Sequence, residues 1–480
     1  MSEAVHAFSD DVLAGRDAVG IARLVQNGDV SAEEVITAAI ARAQLVDSML
    51  NAVVVEDYER AVDAARNPLS GAFAGVPTFV KDMTDVAGLP TRFGSGALVD
   101  RRPAKKTHAI ARQLVDLGMI SLGKSAMPDF GFTPSTEFPD GEPTRNPWNP
   151  DHSAGGSSGG AAALVAAGVV PIANAADGGG SIRIPAAACG LVGLKPTRGR
   201  MISAQAGEPF VGLVTDGVLT RTVRDTALFC AENEKQHSLR GMSRIGHVTQ
   251  PLNRPLRIGV VTNPPTEAAI DDVIQCELDT SVRLLEGLGH HIEPFHLDID
   301  SRFADDFLTL WSGLAFLLAS TGRWSIDRSF DRSRLTDVMQ GLAHQGRRNL
   351  LRLPGAVRRL KKSGVRYSRQ FERIDVMLTP VVGQRTPQTG HLGMDLPYDV
   401  LFPRVEEWAC FTPYANATGG PAISLPLGFD EEMNLPVGMM FSADIGEDRL
   451  LLELALQLEE AAPWRKIHPD RLLPAENPES

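Results

Sequence analysis

Two serines stand in glycine-flanked settings that suit acyl-transfer chemistry. Ser157 lies in Gly155-Gly156-Ser157-Ser158-Gly159-Gly160, and Ser181 in Asp177-Gly178-Gly179-Gly180-Ser181-Ile182-Arg183. Ordering glycine loses more backbone freedom than ordering any other residue. Runs of it are kept where the backbone takes positive φ or comes very close to a neighbour. A serine beside successive glycines can expose main-chain N–H groups to a reacting oxygen. A single apolar segment, read as helix then strand, separates the two serines, so they are expected to meet in space. The stretch from Ala154 to Arg200 is taken as the active centre.

The elements around it follow from apolar periodicity and turn chemistry. Ser158 to Ala167 is alanine-rich and reads as a helix with Gly168 as its cap; Val169 to Ala175 reads as a strand. Upstream, Val76 to Val80 is a short buried strand that delivers Lys81 at its end. Taken locally, such a lysine is a solvated rim residue or half of an ion pair with Asp82. Residues 10–65 read as helices, with Ser31 and Glu34 at a helix start. Gly118 to Ser125 fits the phosphate-loop pattern G-x-x-x-x-G-K-S. A helix precedes it, its middle is strand-like and Pro128 blocks a long helix after it, so a nucleotide site is not expected there.

Beyond Arg224 the pattern is strand at Arg257–Val261 and helix at Val273–Leu288. Further strands are expected at Ile374–Pro380, Ala422–Pro426 and Leu435–Phe441, and a closing helix at Asp448–Ala462. His290, His291 and His296 straddle a strand start without converging partners, so they read as structural rather than metal-binding. Residues 347–369 carry a basic cluster interrupted by Pro354, Gly355 and Gly364, which reads as a solvated surface. The segment ending in PAENPES reads as a disordered tail over 471–480.

The 480-residue chain is 43% hydrophobic and 22% charged, an ordinary globular composition. Its net charge of −12 argues against nucleic acid as a partner. Four widely spaced cysteines without C-x-x-C spacing suit reduced thiols in the cytoplasm. The acidic start lacks a secretory core, and no apolar run reaches the roughly 20 residues of a spanning helix. Leu308–Ala319 is the nearest and reads as a buried helix. Alternating strands and helices without a composition break favour one α/β domain.

The chain resembles the amidase signature family. The residues that carry the resemblance are Gly75-Val76-Pro77 through Lys81-Asp82, Asn146-Pro147-Trp148, the serine block, Asp177 through Arg183, and Pro185 through Thr197. Leu378-Thr379-Pro380, Gly419–Pro421 and Leu435–Gly438 extend it, so that it covers about residues 15–470 as a single domain with an N-terminal helical segment to about 70. Thr136-Glu137, Thr144–Trp148 and Ala176-Asp177 also resemble the branch containing 6-aminohexanoate cyclic-dimer hydrolase. The resemblance implies a twisted mixed β-sheet core covered by helices on both faces. It implies Ser181 as nucleophile, Ser157 as a bridging serine in a cis peptide and Lys81 as base, reversing the local reading of that lysine. Backbone N–H groups of Gly178, Gly179, Gly180 and Ser181 would hold the oxyanion. No metal or organic cofactor is implied. Ser158, which local sequence does not separate from Ser157, is left as a helix-capping or supporting hydroxyl.

Some positions depart from the family pattern: Ala175-Ala176 before Asp177, Gly178 in place of a branched residue, Met83 after Lys-Asp, and Arg92. The function expected is hydrolysis of a small-molecule carboxylic amide through an acyl-enzyme, with esters and carbamates open. No nucleic acid or membrane partner is expected, and a homodimer is left open. Two other readings remain. One is the glutamine-hydrolysing A subunit of a tRNA-dependent amidotransferase; the other is a non-catalytic interaction protein on the same fold.

Overall fold

The apolar runs expected as buried strands pair into two sheets in the computed structural model, which describes residues 3–203, 210–239, 241–266 and 268–467. Strands are numbered in chain order. The smaller sheet has the order β1 (Val53–Glu56), β3 (Ile120–Ser125), β2 (Pro77–Lys81); β1 is antiparallel and β2 parallel to β3. The larger sheet begins β4 (Ile172–Asp177), β6 (Thr215–Thr220), β5 (Val192–Lys195), β10 (Ala422–Asp430). It continues β11 (Leu435–Ser442), β9 (Val376–Pro380), β7 (Arg257–Val260), β8 (His291–Pro294). Its pairs are antiparallel from β4 through β9 and parallel from β9 to β8, so the sheet is mixed as expected. The single expected core is thus two sheets, and β2 carries Lys81 in the smaller one.

Several local expectations meet a physical correction. Val53–Glu56 lies within the stretch read as helical, yet it is a strand with alternating burial, consistent with its three consecutive β-branched valines. The helix before it, Ala32–Leu50, opens with the expected capping box: Glu34 N donates to Ser31 Oγ (3.1 Å), and Ser31 N donates to Glu34 Oε2 (2.8 Å). The basic cluster is split between two helices, with Arg347 and Arg348 ending Asp337–Arg348, but Pro354, Gly355 and Gly364 do not interrupt the second. Leu353–Gln370 is one helix with Pro354 in its first turn, where a missing N–H costs nothing. In β10, Pro426 falls where the register with β11 shifts between Leu425 and Gly428, the position at which a strand tolerates proline. Gly118–Ser125 is a glycine turn leading into β3, not a phosphate loop.

The helix expected at Leu308–Ala319 runs from Phe303 to Ser325 and is long and apolar enough to cross a membrane by length and composition. It packs against the helices Asp337–Arg348 and Leu353–Gln370. Arg359 clasps the buried Asp306 in its first turn, Nε to Oδ2 at 2.6 Å. The expected tail at 471–480 lies outside the described residues.

The largest apolar cluster joins the N-terminal helices, the helix Gly159–Ala166, β4 and the closing helix Asp448–Ala461. A second gathers the inner faces of Phe303–Ser325 and Asp337–Arg348 with Leu401, Trp408 and Phe411. Ile184, on the short helix Arg183–Cys189 that follows Ser181, belongs to this second cluster.

Candidate active site

Lys81 closes a strand whose five residues are all buried, and its own side chain is 1% exposed. Its neighbour Asp82 does not neutralise it. Asp82 Oδ1 instead lies 3.0 Å from Lys124 Nζ, which also donates to Thr91 Oγ1 at 3.0 Å. Lys124 is the lysine of the false phosphate-loop motif, aligned beside Val80 across the β2–β3 pair. Lys81 is thereby left without a carboxylate in ion-pair contact among the described residues. It donates to Ser157 Oγ at 2.8 Å, Ser158 Oγ at 2.9 Å and Ala176 O at 3.3 Å. Burial pulls its pKa down to about 7, and the more distant Asp216 and Asp177 only partly restore it. An amine so placed is substantially neutral near physiological pH.

The two sheets meet at this lysine. Lys81 N donates to Asn174 Oδ1 of β4 at 3.3 Å, and Ala176 of the same strand accepts from the side-chain amine. The Gly156–Ser157 peptide is cis. Ser158 occupies the position before the helix Gly159–Ala166 but makes no capping hydrogen bond. Its hydroxyl lies beside Lys81 and the Ala176 backbone instead, so of the two expected roles, helix cap or supporting hydroxyl, its contacts fit the second.

Ser181 follows β4 after a three-glycine loop shaped by Asp177. Asp177 Oδ1 accepts from Gly180 N at 2.7 Å and Oδ2 accepts from Ile182 N at 3.1 Å. Arg183 grips the same carboxylate from Nε at 2.9 Å and Nη2 at 3.0 Å. Burial alone would raise the Asp177 pKa; the Arg183 guanidinium, with Asn416, outweighs it and holds the carboxyl well below its usual range. Asn416 Nδ2 donates to Asp177 O and Oδ1, each at 2.9 Å, and its Oδ1 accepts from Arg183 at 2.6 Å.

Gly180 has φ +134°, and a Cβ there would fall 2.3 Å from Thr412 Oγ1, so both dihedral and space require glycine. Of the four expected oxyanion donors, Gly180 N–H is already committed to Asp177. The N–H groups of Gly178, Gly179 and Ser181 have no such side-chain acceptor among the described residues.

Ser181 opens into a cavity walled by Phe132, Phe303, Phe307, Trp311 and Phe402, with Gly131 and Gly179 on the same lining. Trp311 stacks on Phe307 and tilts against Phe132, with ring centroids 5.8 and 4.8 Å apart. A Cβ on Gly178 would lie 3.7 Å from the Trp311 ring, so the glycine loop rests directly on this wall. Ser157 approaches the cavity from behind Gly131, where a Cβ would meet its Oγ at 3.0 Å. Lys81 and Ser157 are thus in direct contact and Ser181 shares their neighbourhood. A hydrogen bond from Ser181 Oγ to Ser157 is not made among the described residues.

Asn416, Thr412 and the aromatic wall are not assigned by the sequence. Arg183 belongs to the serine motif but receives no role from it. Its spacing from Asp177, on the far side of the glycine loop, is the available signal. For the aromatic wall there is none, because it is built from segments distant in sequence from either serine.

A family model described as Amidase matches residues 34–452. The AmiC protein of Mycobacterium tuberculosis (strain ATCC 25618 / H37Rv) is 47% identical over 468 residues, covering 97% of this chain and 98% of the relative. The 6-aminohexanoate-cyclic-dimer hydrolase of Pseudomonas sp. (strain NK87) is 32% identical over 506 residues, covering 96% and 98%. A solved structure of 6-aminohexanoate cyclic dimer hydrolase complexed with substrate is similar at TM-score 0.82 and 29% identity, over 96% of this chain and 99% of that one.

Proposed function

This chain belongs to the amidase family and is an amide-hydrolysing enzyme of the amidase signature fold, and we propose that it works through Ser181 as nucleophile, Ser157 as proton relay and Lys81 as base. The observation that carries this reading is the 2.8 Å hydrogen bond from a fully buried, carboxylate-free Lys81 to Ser157. A serine hydroxyl attacks an amide only with a base at hand, and an amine serves only when neutral. Burial supplies that neutrality here.

In the first step Ser181 Oγ bonds to the substrate carbonyl carbon while its proton passes to Ser157 and the Ser157 proton passes to Lys81 Nζ. Negative charge gathers on the carbonyl oxygen, where the N–H groups of Gly178, Gly179 and Ser181 would hold it. Each such donor is worth about 3 kcal/mol by analogy with a removed side-chain donor. The proton then returns through Ser157 to the departing nitrogen, the C–N bond breaks and an acyl-ester on Ser181 remains. Water repeats the sequence against the ester and restores all three residues. The Ser181–Ser157 link belongs to the substrate-bound state, since catalytic hydrogen bonds often tighten only there.

The same reading takes residues 15–470 as one domain acting on small-molecule amides in the cytoplasm, which the free cysteines support. The aromatic wall favours amides with an aryl or extended alkyl part. The test is hydrolysis of a panel of alkyl and aryl anilides by the purified chain alone. Turnover that disappears in Ser181→Ala supports the reading. Turnover that requires a second protein would favour the amidotransferase subunit, and a chain inert under both conditions would favour an interaction protein.

A further inference from the structure

The cavity at Ser181 holds a single carboxylate among its described lining residues, Glu406, on the helix Tyr398–Trp408. The rest of the lining is aromatic, aliphatic or uncharged, and the other ionisable group, Cys410, is a thiol that burial pushes up to about 12 and so keeps neutral. Glu406 is exposed at the rim, whereas Ser181 is half-buried further in. Asp305, next to Ala304 of the cavity wall on the helix Phe303–Ser325, adds a second negative charge that acts on Glu406. Neither carboxylate forms an ion pair among the described residues. Although the residue as a whole is exposed, partial desolvation of its carboxyl first, and Asp305 second, raise the Glu406 pKa, as expected for an acid lacking a cation nearby.

An unpaired carboxylate on the lining of an aromatic cavity, with a second acid on the neighbouring helix, attracts a positive charge and repels a negative one. The rings of Phe402, Phe307 and Trp311 add a surface on which a cation is favourable.

We propose that Glu406 selects substrates carrying a cationic ammonium group separated from the scissile amide by an apolar segment, the segment lying along the aromatic wall and the ammonium meeting Glu406 at the rim. This rests on the reading of Ser181 as nucleophile and names the class of amide that site takes. An amide bearing a carboxylate at the same place would be disfavoured.

The test uses protection of Ser181 from a serine-directed phosphonylating probe, read by intact-protein and peptide mass spectrometry. Three ligands of matched length compete: hexylammonium, 1-hexanol and hexanoate. With the native chain, hexylammonium is expected to protect at about fivefold lower concentration than hexanol, with hexanoate weakest, the scale of a partly exposed ion pair. In Glu406→Gln the ammonium should fall to the level of hexanol, and in Glu406→Lys hexanoate should become the best protector. Equal protection by all three in the native chain would overturn the proposal, as would an ammonium preference that survives Glu406→Gln. Absence of any Ser181 adduct would overturn the underlying reading and this inference with it. An adduct with no charge preference would sink this inference alone.

Discussion

Lys124 Nζ lies 3.0 Å from Asp82 Oδ1, both side chains buried, and this pair is what leaves the adjacent Lys81 without a carboxylate of its own. The pair sorts two buried lysines on neighbouring strands into different roles. Burial lowers the pKa of both; for Lys124 the Asp82 carboxylate in contact opposes that shift, whereas Lys81 has only distant carboxylates to do so. Removing one member of a buried pair strands the other as an uncompensated charge, which costs about 3–5 kcal/mol, whereas an apolar double replacement is often near neutral. Lys124→Met is expected to lower unfolding stability by that amount, and Lys124→Met with Asp82→Leu to recover much of it. Urea unfolding of the two variants checks this.

Lys81 acts as a base only when unprotonated, and burial has brought its pKa to about 7. The rate of Ser181 acylation should therefore rise with pH from about 6 to 8 and then level. In stability the sign is the same. Between the folded pKa and the unfolded value of about 10.4, the unfolded chain binds the extra proton, so this group makes the fold more stable as pH rises through that window. Lys195, also brought to about 7 by burial and Arg183, contributes in the same direction. Lys81→Met should thus flatten the acylation profile but only part of the stability profile. Stopped-flow acylation and thermal unfolding across pH separate the two.

Ser157 and Ser158 both touch the Lys81 amine, at 2.8 and 2.9 Å. Only Ser157 also reaches the wall of the cavity that holds Ser181. Ser157→Ala is expected to lower kcat by about 10²–10⁴-fold, the range of a lost positioned proton-transfer group. Ser158→Ala should lower it by about tenfold or less. Comparable losses from both would mean that the relay is shared between them.

Gly180→Ala places a Cβ 2.3 Å from Thr412 Oγ1 at φ +134°. The loop must shift to accept it, and the neighbouring N–H groups move with it. Catalysis is expected to fall by at least about 10²-fold, the scale of one lost oxyanion donor. Far-ultraviolet circular dichroism should stay native while kcat with an anilide substrate drops.

How much of this is legible in the sequence depends on where each partner lies. The serine block, its glycines and the strand delivering Lys81 are local patterns, and helix, strand and loop fall close to their expected bounds. The environment of Lys81 is not local. It depends on Lys124 capturing Asp82 across a parallel strand pair, so residues 76–82 alone suggest a rim lysine. Val53–Glu56 is hidden because so short a strand cannot display a period distinct from the helices around it. Pro354 reads as a breaker because its place in the first turn depends on where the helix starts. The cavity wall, from Phe132, Phe303–Trp311 and Phe402, comes from separated segments whose convergence only the fold provides.

The most direct measurement is intact-protein mass spectrometry with peptide mapping after treatment with the phosphonylating probe, for the native chain and Lys81→Ala at about pH 8, where the amine is neutral. The account predicts one adduct, on Ser181, formed at least about 10²-fold more slowly when Lys81 is removed. An adduct on Ser157 or Ser158, or a Ser181 adduct whose rate ignores Lys81, would contradict it.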